Sequence, residues 1–341
     1  GVDLDSLAVE LGRLALWVET MDRSLPFEFL DHKLKVGNAL VGCWFDRFRD
    51  YPALAWEREG ADSNHDRFVH HFREERVQRG KQKGAVRRSG DVWTHELERF
   101  ETEKVKPALA DWISGQRSLF DAVEGRTPEA LHDEAVNLFE QMHALPIHET
   151  DARAVFYRDK ILGSQALARL AEAFDTWCAL WFWPADQLDL APLPATFETL
   201  AEPTRAVVRT LKGEHRFFHW ELEFPEVFAA SGGGFHAIVG NPPWEIQKPN
   251  SREFFSNLDP LYRTYGKQEA LGKQREYFQR SARDERAWLQ YCARFKALAN
   301  WNRSVASPFG DGADDGERLN LGKGSAALHA AWRAKRAGRK G

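Results

Sequence analysis

The stretch Asn241-Pro242-Pro243-Trp244 sets an amide, two backbone-fixing rings and an indole side by side. Successive prolines hold φ, so the Pro242 carbonyl keeps its direction next to the Asn241 side-chain oxygen. Two such acceptors can take both hydrogens of one amine without placing a formal charge nearby. An exocyclic amine on an aromatic ring is the substrate that needs this help. Its lone pair is delocalised into the ring, and accepting both N–H bonds favours a pyramidal nitrogen able to take an alkyl group. N6 of adenine is such an amine. The base must leave the duplex to be reached, and Trp244 can then stack on it, a contact worth roughly 1–3 kcal/mol per base. The bland alternative is a proline turn beside a buried tryptophan.

These residues need an element to deliver them. The apolar run Phe235-His236-Ala237-Ile238-Val239 fits a short buried parallel strand leading into Gly240-Asn241. Open α/β sheets place ligands at the carboxyl ends of such strands. Gly1–Leu4 reads as another strand end, with Asp5 or Ser6 placed to cap a helix carrying Leu7, Leu11, Leu14, Ala15 and Val18. Leu34–Leu40 reads as a strand running into a loop at Gly37-Asn38. Thr127-Pro128-Glu129 is a helix start. It is followed by a Leu131–Met142 stripe that Pro146 stops. A second stripe, Leu167 to Trp181, closes at Pro184, and both stripes are read as core faces. Pro192–Pro203 reads as a linker. Trp288, Tyr291, Phe295 and Leu298 mark a further helix.

Bulk properties narrow the partners. The chain has 341 residues, 43% of them hydrophobic, 13 tryptophans and a net charge of -4. That suffices for a real core but not for a polycation, so nucleic-acid contact needs a local basic patch. Arg73–Arg88 offers one, although a solvated helix and loop is the plainer reading. Cys43, Cys178 and Cys292 stand far apart, which fits a reduced, cytoplasmic setting rather than a disulfide framework. No apolar run is long enough to span a bilayer, so no membrane partner is expected. His215 and His219 have helical ligand spacing, but no acid or cysteine completes a metal set.

Four blocks of the sequence resemble the adenine-specific N6 DNA methyltransferases of fused restriction–modification and phage-defence systems. They are Gly1-Val2-Asp3-Leu4 with the helix Leu7–Trp17, then Leu30-Asp31-His32 through Gly37-Asn38-Ala39-Leu40-Val41-Gly42, then Phe218-His219-Trp220 through Phe228, then Asn241–Trp244. They occur in the family's order and cover about a quarter of the chain. The resemblance implies that Asp3 accepts hydrogen bonds from the ribose hydroxyls of S-adenosyl-L-methionine, with Leu4 beside it. It also implies that Asn38 and Ala39 lie beside the cofactor adenine, and that Asn241, Pro242, Pro243 and Trp244 hold the target base. Two departures stand out. His236 replaces the family's usual aspartate, and no Phe-x-Gly-x-Gly loop occurs anywhere. Ser231–Gly234 is rich in glycine but opens no helix. Glu317–Leu321 resembles the family's onward sequence before a basic tail takes over, so the chain is expected to be a fragment.

The expected fold is α/β: a partial Rossmann-like class I methyltransferase core interrupted by a large, mostly helical insertion. The expected divisions are 1–44 for the second and third core strands, 45–203 for the insertion, 204–320 for core with the Asn-Pro-Pro-Trp loop, and 321–341 for a disordered basic tail. The expected reaction is methyl transfer to N6 of a flipped adenine. DNA is the expected partner, with restriction or defence-system subunits beyond it. Two alternatives stay open. One is methylation of a protein glutamine, the other an inactive fragment or DNA-binding helical module.

Overall fold

The computed structural model describes residues 1–20, 30–48, 50–62, 71–72, 92–114, 127–146, 149–197, 199–229, 233–241 and 248–305. The basic stretch 73–88, the tail 321–341 and Pro242, Pro243 and Trp244 lie outside the described residues.

The chain opens with a β-α-β unit. Strand β1 (Val2–Asp3) pairs in parallel with β2 (Lys35–Val36), Val2 opposite Lys35 and Asp3 opposite Val36. Parallel pairing needs a crossover, and helix α1 (Ser6–Thr20) lies within it. Asp5 starts α1: its carboxylate accepts the Leu7 N–H at 2.9 Å, and its carbonyl accepts from Val9. Val9 is buried, whereas Leu7, Leu11, Leu14 and Val18 are exposed.

Helices follow. They are α2 (Phe45–Phe48), α3 (Val92–Phe100), α4 (Lys106–Ser114), α5 (Pro128–Ala144), α6 (Thr150–Phe156) and α7 (Gln165–Phe182). After them come α8 (Glu202–His215), α9 (Trp220–Glu223), α10 (Ser251–Ser256), α11 (Lys267–Arg280) and α12 (Ala282–Ser304). Their ends obey local rules. Thr127 accepts the Ala130 N–H with Pro128 in the first turn, and Ser164 and Ser281 cap α7 and α12 in the same way. The Leu131–Met142 stripe faces inward, and α7 is buried over most of its length because other elements cover it.

One hydrophobic core joins elements on both sides of residue 203, from Val41 and Trp56 through α7 and α8 to α12. Trp177, Trp181, Phe182 and Trp301 meet at its centre, with ring centroids 5.6–6.2 Å apart across the α7–α12 contact. Helices α7 and α12 are thus packed as one body by aromatic area. Cys43, Cys178 and Cys292 are buried and unbridged.

His215, the last residue of α8, stacks on Phe182 with centroids 4.0 Å apart. Burial, helped by the charge of Arg294, pulls its pKa from 6.5 down to about 4. Above pH 6.5 the ring is neutral folded and unfolded. Between 6.5 and about 4 only the unfolded chain takes up the proton, so stability from this group falls as pH drops. His215→Phe keeps the stacking and removes the proton site. Thermal midpoints are expected to match the parent at pH 8 and to exceed it at pH 5.

The loop after β2 depends on small residues. A Cβ on Gly42 would sit 1.8 Å from the Phe218 carbonyl oxygen, and one on Gly37 would sit 2.4 Å from the Phe218 ring. The first clash is with backbone and cannot be relieved by a rotamer. Gly42→Ala is expected to cost roughly 1–3 kcal/mol, measurable by urea unfolding, with helix content retained.

Candidate functional site

The carboxyl ends of β1 and β2 lie side by side. The ladder runs from Lys35 N–H to the Gly1 carbonyl and from Gly37 N–H to the Asp3 carbonyl, each at 2.9 Å. Asp3, Leu4, Asn38 and Ala39 therefore share one edge, the position where parallel strands present ligand contacts. Asp3 is exposed, and its Oδ1 accepts the Asp5 N–H at 2.7 Å. Asn38 Oδ1 accepts the Leu40 N–H at 3.1 Å, a local turn that shapes the loop. Leu4 and Ala39 are exposed beside them. An open carboxylate, an amide-shaped turn and apolar side chains suit a ribose diol and a purine face.

The loop from Asn38 to Phe45 has almost no ladder of its own, so distant residues satisfy its backbone. Asn38 N–H donates to the Arg216 carbonyl at 2.7 Å, and Asn38 forms a single bridge to Phe217. Trp220 Nε1 donates to the Ala39 carbonyl, and Trp301 Nε1 to the Leu40 carbonyl, both at 3.0 Å. Phe218 N–H donates to the Val41 carbonyl at 2.8 Å. Cys43 N–H donates to His219 Nδ1 at 3.0 Å, and Phe45 N–H to Glu221 Oε2 at 2.6 Å. Residues 216–221 thus lie along the loop and close it.

His219 extends this contact into the core. Because Nδ1 accepts from Cys43, the ring proton lies on Nε2, which donates to Asp175 Oδ1 at 3.1 Å. Asp175 also takes Lys212 Nζ at 2.7 Å. Burial alone would raise the Asp175 carboxyl; the hydrogen bond from His219, with the Lys212 ammonium, outweighs it and holds it below the ordinary range. Helix α7 thereby reaches the site loop through one imidazole. On β2, buried Lys35 sits 2.6 Å from Glu223 and near the rings of Phe224 and Tyr157. Burial works against its charge, and Glu223 with Tyr157 more than compensates, so its pKa is raised.

Phe235 anchors the segment leading to Asn241. Phe235 packs edge-on against Trp220, Phe224 and Phe228, with centroids 5.6–5.8 Å apart. The same Trp220 holds Ala39, so the approach to Asn241 starts beside the Asp3–Asn38 edge. The predicted buried strand at Phe235–Val239 does not form. Ile238 is 84% and Val239 98% exposed, with no ladder along the run. A strand exists only where another pairs with it. Among the described residues β1 and β2 pair with each other, and no strand lies beside 235–239. Asn241 is exposed and outside any helix. Beyond the motif, Asn250 caps α10, and its own N–H donates to Tyr291 Oη at 3.3 Å. Tyr291 lies against Phe254 and Trp288.

Arg216, Asp175 and Trp301 shape the site and are not singled out in the sequence; His219 and Trp220 stand there within the block Phe218–Phe228, with no part in closing this loop assigned to them. The aromatic block Phe217–Phe228 was visible there, but no periodicity tells which loop it closes. Among the described residues no group of three His, Cys, Asp or Glu side chains is placed to hold a metal, and no helix is long and apolar enough to cross a membrane.

Replacing His219 with Phe strips the buried Cys43 N–H of its acceptor and Asp175 of one of its two donors. A loss of roughly 1–3 kcal/mol is expected, read by denaturant unfolding. Tryptophan emission should report loosening around Trp220 and Trp301.

Residues 174–279 match the family model described as Eco57I restriction-modification methylase, a little under a third of the chain. No curated protein and no solved structure gives a match. The matched stretch contains Asp175, the closing block Arg216–Phe228 and Asn241–Trp244, while Asp3 and Asn38 precede it. Over that stretch the chain is similar to restriction-modification methylases, which supports a DNA-methylating relationship for the elements around the Asn241 segment.

Proposed function

We propose that this chain carries the cofactor edge and the base-holding segment of an adenine-specific N6 DNA methyltransferase. The observation that carries the reading is the contact chain from Ala39 through Trp220 to Phe235, which starts the Asn241 approach beside the Asp3–Asn38 edge. The exposed state of Asn241 fits a group that must meet an extruded base. The methylase match over 174–279 supports DNA as the substrate.

S-adenosyl-L-methionine would supply an electrophilic methyl group. Asp3 would hold its ribose hydroxyls, and Leu4, Asn38 and Ala39 would flank its adenine. Asn241 and the Pro242 carbonyl would accept the two N6 hydrogens of the target adenine, and Trp244 would stack on that base. No covalent enzyme intermediate would be needed, because the amine would attack the methyl carbon directly as its bond to the sulfonium sulfur breaks, with S-adenosylhomocysteine as the leaving group. The β1–α1–β2 unit is read as part of a Rossmann-like sheet. The exposed leucines of α1 and the exposed Ile238 and Val239 are apolar surface of the kind further strands cover in parallel sheets. Restriction or defence-system subunits are further proposed partners, and three reduced cysteines fit a cytoplasmic setting.

Transfer of labelled methyl groups from S-adenosyl-L-methionine into DNA and into protein tests this reading in the intact protein. Label is expected in DNA, on N6 of adenine. Asn241→Ala is expected to lower the rate roughly a hundredfold or more, as loss of one positioned polar group does elsewhere, with DNA binding retained. Full methylation by that variant, or label in protein alone, would overturn it.

A further inference from the structure

Arg216 ends α8 in a left-handed conformation, with φ 51° and ψ 55°. Among the described residues it is the one non-glycine residue with positive φ. Glycine or asparagine adopts that conformation readily, and other side chains pay about 1 kcal/mol for it. A helix cap alone needs no guanidinium there.

The side chain is used elsewhere. Nη1 donates to the Leu4 carbonyl, 212 residues earlier in the chain. The Arg216 carbonyl accepts from Asn38 N–H at 2.7 Å, and its own N–H donates to Lys212 at 2.7 Å. One residue thus grips both halves of the candidate edge, the strand end just past Asp3 and the loop just past β2. The grip matters because the sheet between them is only two residues long on each strand. Two-stranded pairing is marginal by itself, and the last ladder bond is the one from Gly37 to Asp3. The guanidinium ties the strand end one residue further.

We infer that Arg216 is a positioning residue of the cofactor site, setting the spacing between Asp3–Leu4 and Asn38–Ala39. This rests on reading that edge as the S-adenosyl-L-methionine site. The left-handed backbone places its carbonyl at Asn38 while its side chain reaches Leu4; the strain is tolerated because both contacts come from one residue.

Calorimetric binding of S-adenosylhomocysteine to the intact protein tests it, with thermal midpoints measured alongside. Arg216→Asn keeps the left-handed backbone and deletes the guanidinium. It is expected to weaken binding about 5–10-fold, the loss of one charge-assisted hydrogen bond, with the midpoint within about 2 °C of the parent. Arg216→Lys is expected to recover part of the affinity, since an ammonium can still reach the Leu4 carbonyl. Asp3→Ala serves as the control on the site itself. If Arg216→Asn binds like the parent while Asp3→Ala loses binding, Arg216 is a helix cap only, and the inference falls while the site reading stands. If affinity falls only together with a midpoint drop of more than about 5 °C, or Lys recovers nothing, the residue is a general brace and the inference is likewise overturned. If the parent binds nothing, or Asp3→Ala binds as well as the parent, the site reading falls and takes the inference with it.

Discussion

Between Asn38 and Phe45 the backbone would be largely unsatisfied if the loop stood alone. Its amides and carbonyls are instead met by Arg216, Phe218, His219, Trp220, Glu221 and Trp301. A buried polar group without a partner costs about as much as a lost hydrogen bond, so this docking is a condition for the loop to hold its shape. Approach at hydrogen-bonding distance is possible because Gly37 and Gly42 present no Cβ to the Phe218 strand of contacts. The rest of the candidate site follows from this docking. It places Ala39 against Trp220, and Trp220 receives Phe235 at the start of the Asn241 segment.

The tryptophans give the helical body its connection to that loop. Trp301 fills the centre of the core with Trp177, Trp181 and Phe182, and its indole N–H reaches the Leu40 carbonyl. An indole supplies a large apolar face and one donor at its rim, so a single residue serves packing and loop geometry together. Charge is handled differently. Asp175 and Lys35 are both buried, and each is held ionised by a partner close by: Lys212 and His219 for the acid, Glu223 for the base. These pairs join α7, α8, β2 and α9 without adding stability that apolar residues could not supply. Their value lies in fixing which elements meet at the edge.

The local features were readable along the chain. Thr127-Pro128 starts α5, Pro146 follows its end, and Leu170, Phe174, Cys178 and Trp181 point into the core as their spacing requires. The short strand end at Gly1–Leu4 and the strand-to-loop segment at Gly37-Asn38 also stand in the structure. The run Phe235–Val239 has the composition of a buried strand and is nonetheless exposed. Composition states only what a strand would bury; a neighbour must be present for the ladder to form.

By itself, the sequence determined what nearest neighbours along the chain decide: helix starts and stops, apolar stripes, and the amide–proline–proline–indole order at Asn241–Trp244. Backbone sterics and side-chain caps act over a few residues, so their outcome is written locally. Only the tertiary structure decided that Arg216 grips Leu4 and Asn38, that His219 carries Asp175 to the Cys43 amide, and that Trp220 joins Ala39 to Phe235. Those contacts span from 15 to 212 residues of chain. Which of many aromatic or basic residues closes a loop depends on how whole helices pack, and no short stretch of sequence records that choice.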